Sequence, residues 1–228
     1  MISAFIKGID QLSDKGTRKY LWFSVLSALI AFIVLWTVIG FLLRETSISQ
    51  IGWLEGAIDV LGGLATLALT WFLFPATVSG LIGLFLDQVA DCVEARHYPG
   101  LPDANGQSVG EAVVMSMKFL GILVVLNILM LPFLFLGPLF PFVFYLVNGY
   151  LLGREYFELV AARRLPPAEV TKLRKARQGG VLMVGIVIAF GLTIPLVNLL
   201  MPIIATSAMV HQYEKWHPTG GAGTAVTA

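Results

Sequence analysis

Charged residues are scarce in this chain: 15 Lys and Arg and 14 Asp and Glu make up 13% of its 228 residues. A water-soluble globular chain carries about 25% of such residues. Hydrophobic residues make up 57%, and the mean hydropathy is +0.83. These values exclude a soluble domain of any size, so we expect an integral membrane protein.

Three other absences exclude classes of function. A single cysteine rules out a disulfide scaffold, and the net charge of +1 argues against nucleic acid as a partner. There is no Walker-type phosphate loop, nucleophilic dyad or pair of carboxylates in a plausible cleft, so we expect no enzyme, catalytic residue or cofactor. His211 and His217 are poorly spaced as ligands, so no metal site is expected.

Two long uncharged runs predict transmembrane helices. The run 20–43 would extend about 36 Å as a helix, which exceeds the ~30 Å hydrocarbon core. A second span is predicted within 57–98, and the same helix is expected to continue beyond Leu86 into water as an amphipathic extension. Residues 1–19 are predicted to form an interfacial helix, because apolar residues recur there at helical spacing: Ile2, Phe5, Ile6, Ile9 and Leu12.

Two further apolar runs are interrupted by proline. The run 119–153 holds Pro132, Gly137, Pro138 and Pro141 near its middle, and each half would extend only about 20 Å as a helix. We therefore predict a hemi-penetrating helical hairpin. Pro195 and Pro202 split the run 179–210 in the same way and predict a second hairpin. The basic segment 154–178 joins the two, and residues 211–228 are expected to form a tail that is disordered at its end.

The distribution of Lys and Arg tests this plan, because cytoplasmic segments of membrane proteins are rich in basic residues. If both hairpins enter and return on one face, 14 of the 15 basic residues lie on the cytoplasmic side and Arg44 alone on the other. The predicted fold is therefore all-α, with two transmembrane helices, two proline-broken hairpins and both termini cytoplasmic. Fully crossing short helices would give the same sidedness, so the depth of the hairpins stays open.

Several polar residues are candidates for a functional site. Arg18 and Lys19 begin a helix with free backbone N–H groups, where they could hold an oxyanion or anchor the chain to lipid phosphates. Arg154 and Glu158 are spaced to pair, and with the other charged residues of this segment they predict an ion-pair network or a gating site: Glu155, Arg163 and Arg164. Asparagines within apolar runs predict interhelical hydrogen bonds or substrate contacts: Asn127, Asn148 and Asn198. Gly149 and Gly153 predict a close helix approach.

Three stretches resemble a known family. They are Asn148-Gly-Tyr-Leu-Leu-Gly-Arg-Glu-Tyr-Phe-Glu-Leu-Val-Ala-Ala-Arg-Arg164, Pro195-Leu-Val-Asn-Leu-Leu-Met-Pro202 and the Ala-Met-Val-His211 ending. They are similar to the CysZ family of bacterial inner-membrane sulfate transporters. The resemblance implies two long transmembrane helices and two hemi-penetrating hairpins. It also implies an anion-binding Gly-Leu-Arg-Arg type motif before the first long helix, where this chain has Gly16-Thr17-Arg18-Lys19.

The resemblance implies sulfate uptake across the bacterial inner membrane by a channel-like or secondary pathway, feeding sulfate assimilation and cysteine synthesis. Sulfate or a related oxyanion and membrane lipids are the expected partners. A homo-oligomer is expected, because two spans and two hairpins enclose too little for a pore. The alternative is a non-transporting membrane scaffold or assembly protein whose hairpins and basic segment bind lipid or a partner.

Overall fold

The computed structural model describes residues 1–45, 52–102, 104 and 109–218, and every regular element in these ranges is helical. The predicted all-α fold is confirmed. The predicted disorder at the end of the tail concerns residues 219–228, which lie outside the described ranges. So do parts of two predicted loops, residues 46–51, 103 and 105–108. The helices in chain order are α1 (Ile2–Asp10), α2 (Lys15–Glu45), α3 (Gly52–Gly83), α4 (Leu86–His97), α5 (Val109–Met130), α6 (Phe140–Ala161), α7 (Pro167–Ala176), α8 (Gln178–Leu192) and α9 (Pro195–Trp216).

Long apolar helices dominate this bundle. Three stretches are long and apolar enough to cross a membrane, namely Lys15–Phe41, Val113–Ala161 and Pro195–Trp216. Large hydrophobic side chains lie exposed along α2, α3 and α5, among them Trp22, Leu61 and Val125. An outward-facing apolar surface of this extent is typical of helices that contact lipid.

The second predicted span and its extension are two separate helices. α3 ends at Gly83, and Phe85 donates to the Ile82 carbonyl at 2.8 Å in a tight turn before α4 begins. The turn allows α4 to bury Val89, Ala90 and Val93 against the bundle. The prediction of one continuous helix is therefore wrong here, whereas the predicted apolar face of the extension is the face that packs.

Both hairpins have a break at proline. Between α5 and α6, a 3-10 segment covers Leu131–Leu139, and Gly137 has a φ of 53° that favours glycine. Between α8 and α9, the chain turns at Thr193 and Ile194, and Pro195 occupies the first turn of α9. Pro202 does not split this hairpin as predicted, because α9 continues through it without a break.

The C-terminal part of α9 lies at the centre of the bundle. Every residue from Met201 to Glu214 is buried, and α9 packs against α1, α3, α4, α6 and α8. Tyr213 packs edge to face against Phe157, and Trp216 packs beside the same ring. Residues 211–216, which the sequence assigns to a tail, are therefore part of a core helix, because their aromatic side chains complete its packing.

Glycines bring α6 and α8 into backbone contact. A Cβ atom at Gly149 would meet Ile186, and one at Gly153 would meet the Val181 carbonyl. From the other side, a Cβ atom at Gly185 would meet the Gly149 carbonyl and Gly153. The close helix approach predicted from Gly149 and Gly153 is confirmed, and the partner is α8 of the same chain.

Candidate functional site

The start of α2 is held by its own cap. Asp14 Oδ2 accepts hydrogen bonds from the Thr17 backbone N–H at 2.9 Å and from Thr17 Oγ1 at 3.2 Å. Gln11 Nε2 donates to Thr17 Oγ1 at 2.9 Å, and Thr17 is fully buried. Thr17 is therefore occupied in holding the helix start, and the cap carboxylate takes the position that an incoming anion would take.

The other members of the predicted anion-binding motif differ in exposure and contacts. Arg18 and Lys19 are exposed, and neither forms an ion pair with any residue that the structure describes. Gly16 lies against α4, where an added Cβ atom would come within 2.9 Å of Cys92 Sγ. The basic pair is thus accessible to an oxyanion or to lipid phosphates, and Gly16 serves the approach of α2 to α4.

Cys92 is unsuited to nucleophilic chemistry. Partial burial raises the pKa of its thiol, and the negative charges of Asp14 and Asp91 raise it further, outweighing a hydrogen bond with Thr17 that lowers it. A reactive cysteine needs the opposite surroundings, with positive charge that favours the thiolate.

A cavity of about 560 Å³ lies between the start of α5, the end of α6 and α7. Lys118 of α5 and Arg154 and Glu158 of α6 contribute its charged lining. Arg154 Nε donates to Glu158 Oε1 at 2.7 Å, so the predicted i, i+4 pair forms, and both side chains are buried. The Arg154 guanidinium also lies 5.7 Å from the centre of the Phe119 ring, a cation–π contact.

Arg174 adds a second guanidinium to the same carboxylate. Its Nε lies 3.2 Å from Glu158 Oε1, and its side chain is largely buried. Two guanidinium groups therefore contact one carboxylate, and Lys118 lines the same cavity. The sequence gives no direct signal for the contact between Arg174 and Glu158, because it depends on how α7 folds back onto α6. Glu155 is exposed on α6 and forms no ion pair among the described residues.

Arg163 and Arg164 connect the end of α6 to α4. Arg164 binds Glu94 through two parallel hydrogen bonds of 2.8 Å, and it donates to the Pro102 carbonyl at 3.1 Å. Arg163 binds Asp91 and lies 3.4 Å from Glu94 Oε2. Burial alone would raise the pKa of Glu94, but its hydrogen bonds and charge contacts with Arg164 and Arg163 hold that pKa below its usual value. The predicted ion-pair network is present here, with its acidic partners on α4.

The three asparagines do not share one site. Asn127 Nδ2 donates to the Leu123 carbonyl and Asn148 Nδ2 to the Phe144 carbonyl, both at 2.9 Å within their own helices. Asn198 makes an interhelical contact, because Ser79 Oγ of α3 lies 2.7 Å from its carbonyl and 2.9 Å from its Oδ1.

Ion pairs place these charged groups at one end of the bundle. Arg96 of α4 binds Asp10 of α1 at 2.6 Å, Arg163 and Arg164 join α6 to α4, and Arg174 joins α7 to α6.

A family profile described as sulfate transporter CysZ/etoposide-induced protein 2.4 matches residues 4–202. The chain belongs to this family. No curated protein matches the chain.

The match to the CysZ family includes both the start of α2 and the α5–α6–α7 cavity. Each predicted site residue, from Gly16 to Asn198, therefore lies within the part of the chain that carries the family resemblance. The match ends within α9 at Pro202, so the buried C-terminal half of that helix lies beyond it.

Proposed function

We propose that the protein passes sulfate, or a related oxyanion, inward across the bacterial inner membrane. The route is channel-like or secondary, and it supplies sulfate assimilation and cysteine synthesis. Membership of the CysZ family supports the class of function. The observation that carries the proposal is the cavity lined by Lys118, Arg154 and Glu158, where Arg154 and Arg174 both contact the Glu158 carboxylate.

The chemistry of this cavity favours an oxyanion. A guanidinium presents planar N–H donors that match two oxygens of a tetrahedral anion, and partial burial strengthens such charge-assisted hydrogen bonds. Glu158 neutralises only part of the positive charge, so an anion is attracted without being held irreversibly. A binding site on a transport route must release the anion as well as bind it.

The exposed pair Arg18 and Lys19 is proposed to collect the anion at the membrane surface. Positive charge at an entrance raises the local concentration of anions. The broken hairpins, with their breaks at the 3-10 segment Leu131–Leu139 and at Ile194, are proposed to line the route. The exposed apolar faces of α2, α3 and α5 provide the surfaces for lipid and for assembly into a homo-oligomer.

Sulfate flux into liposomes tests the proposal. The purified protein is reconstituted, a gradient of labelled sulfate is applied, and uptake is compared with that of empty liposomes. We expect the Lys118→Ala variant to lower flux several-fold and the Arg18→Ala/Lys19→Ala variant to lower it as well. Arg154→Lys, which retains the charge next to Glu158 but loses the planar donors, should lower it by about tenfold.

Lys172→Ala is the matched control, because Lys172 is an exposed lysine on α7 that does not line the cavity. Flux equal to that of empty liposomes would contradict transport and favour the membrane scaffold. Equal flux in the Lys118→Ala and Lys172→Ala variants, with wild-type transport intact, would contradict the role of the cavity alone.

A further inference from the structure

A second cavity of about 560 Å³ lies at the same end of the bundle but is lined by different elements. α1 contributes Lys7, the end of α4 and the following residues contribute His97 and Tyr98, and α9 contributes His211 and Lys215. None of these five residues belongs to the cavity between α5, α6 and α7. The transport proposal therefore gives them no role.

The two histidines of this cavity meet edge to face. Their ring centres are 4.7 Å apart, and Tyr98 Oη lies 2.7 Å from His211 Nδ1. A phenol that donates to Nδ1 leaves the ring hydrogen on Nε2, because a neutral imidazole has one donor and one acceptor nitrogen. His211 is only 6% exposed, and its Nε2 has no hydrogen-bond partner among the described residues.

The Nε2 atom of His97 is likewise buried and without a hydrogen-bond partner in the described ranges. An unpaired buried nitrogen is unfavourable, so two of them on rings that line one cavity indicate a group that binds there. Burial and the charges of Arg96 and Lys7 hold the pKa of His97 below its usual range. At neutral pH the ring therefore acts as a neutral hydrogen-bonding group.

The charges of the side chains that line the cavity determine whether the bound group is an anion or a cation. Lys7 and Lys215 both line the cavity, and Glu214 is the acidic residue of its lining. The charge of Glu214 acts on Tyr98 within the lining and on Arg164 outside it. Two lysines repel a metal cation. The described residues also contain no group of three or more His, Cys, Asp or Glu side chains that could hold a metal.

We propose that this cavity is a binding site for a tetrahedral oxyanion, either a free phosphate or sulfate ion or the phosphate of a lipid headgroup. Lys7 and Lys215 supply the charge, and the Nε2–H groups of His97 and His211 donate to the anion oxygens. The ligand would connect α1, the end of α4 and α9 through one anion. It would thus stabilise the packing of α1 on the central helix.

Thermal unfolding of the full chain in detergent tests the site. Unfolding is followed at neutral pH with added inorganic phosphate, sulfate or short-chain phosphatidic acid, each against sodium chloride of equal ionic strength. Ligands that bind the folded state raise the midpoint according to their affinity. We expect a rise in the wild type, and we expect Lys7→Met and His97→Asn to weaken the apparent affinity by about tenfold or more. Lys172→Met, the control at an exposed lysine away from this cavity, should respond like the wild type.

The probes distinguish the two sources of the phosphate chemistry. A rise with inorganic phosphate or sulfate that Lys7→Met abolishes supports a free ion as the ligand. A rise only with phosphatidic acid, again abolished by Lys7→Met, supports a lipid headgroup. An unchanged midpoint with all three probes would overturn the proposal, and so would equal responses of the Lys7→Met and Lys172→Met variants. Zinc chloride is a fourth probe, and a rise with zinc alone that depends on His97 would assign the site to a metal and overturn the proposal too.

Discussion

At the scale of single residues, Pro202 explains the contact between α3 and α9. Proline has no backbone N–H, so the carbonyl of Asn198, four residues earlier in α9, loses its helical donor. Ser79 of α3 supplies a hydroxyl at 2.7 Å from that carbonyl. The helix therefore continues through Pro202, because the freed group is satisfied by a neighbouring helix.

This arrangement predicts that Ser79 and Pro202 are energetically coupled. Ser79→Ala should lower the stability of the wild type by about 1–3 kcal/mol, because the Asn198 carbonyl is left without a donor. In a Pro202→Ala background the new backbone N–H replaces the hydroxyl, so the same change should cost about 1 kcal/mol less. Thermal or denaturant unfolding in detergent of the four proteins of the cycle measures the difference.

Thr77→Val is the control for this cycle. The Thr77 hydroxyl binds the Leu73 carbonyl of its own helix at 2.9 Å, so its loss should have the same effect in both backgrounds. Additive effects of Ser79→Ala and Pro202→Ala would show that the hydroxyl does not replace the helical donor.

Sequence patterns predicted some of these polar contacts but not their partners. The spacing of Arg154 and Glu158 predicted their pairing, because both residues lie on one helix and local geometry decides. Asn198 was a candidate for an interhelical bond, and it makes one. Asn127 and Asn148 looked the same in sequence, yet they bind their own helices. Which of these occurs depends on whether another helix offers a partner, and a single chain segment does not contain that information.

At the scale of elements, the tightest contact is the one between α6 and α8. Gly149, Gly153 and Gly185 allow the two backbones to meet, and α8 is part of the second hairpin whereas α6 is part of the first. The glycines therefore join the two hairpins to each other. The glycine spacing in α6 was visible in the sequence, but the position of its partner in α8 was not.

Substitution of Gly185 should separate the hairpins. A Cβ atom there has no space beside the Gly149 carbonyl and Gly153, so we expect Gly185→Ala to destabilise the protein by about 1–3 kcal/mol. The measurement is the unfolding midpoint of the purified variant. Gly179→Ala in the same helix is the matched control, since no atom lies within 4 Å of the added methyl group. A midpoint for Gly185→Ala equal to that of the control would contradict the backbone contact.

At the scale of the whole molecule, the ion-paired residues of α4, α6 and α7 collect at one end. The start of α5, the end of α6 and α7 meet around Glu158, and α4 joins the end of α6 through Glu94. Such an arrangement is what two hairpins that enter and return on one face would produce. Both helices of the first hairpin have short uncharged parts. That of α5, after Lys118, extends about 18 Å, and that of α6, from Phe140 to Gly153, extends about 21 Å.

Labelling of single cysteines tests this topology in a Cys92→Ser background. Cysteines at Lys15 and Lys172 should react with a membrane-impermeant maleimide from the cytoplasmic face, and one at Ser47 from the opposite face. A cysteine at Phe135, at the 90% exposed tip of the first hairpin, should be shielded from both sides by lipid. Labelling of Lys15 and Lys172 from opposite faces would contradict the hairpin plan, and labelling of Phe135 from the far face would show a full crossing.

The all-α fold with long apolar helices and breaks near proline was predictable, because hydropathy and proline mark where a chain meets lipid and where a helix breaks. The position of α9 at the centre of the bundle was not predictable. Its second half carries His211, Gln212 and Glu214, which in sequence are typical of a chain leaving the membrane. These residues are buried because α1, α4 and α6 surround them, and long-range packing of this kind leaves no local pattern.

The central position of α9 also bears on biosynthesis. A ribosome makes the helices in chain order, so α9 is made after every helix that it packs against. These helices are α1, α3, α4, α6 and α8. Until α9 is in place, the surfaces of these helices that pack against it are uncovered. The bundle is therefore completed only after α9 has been made.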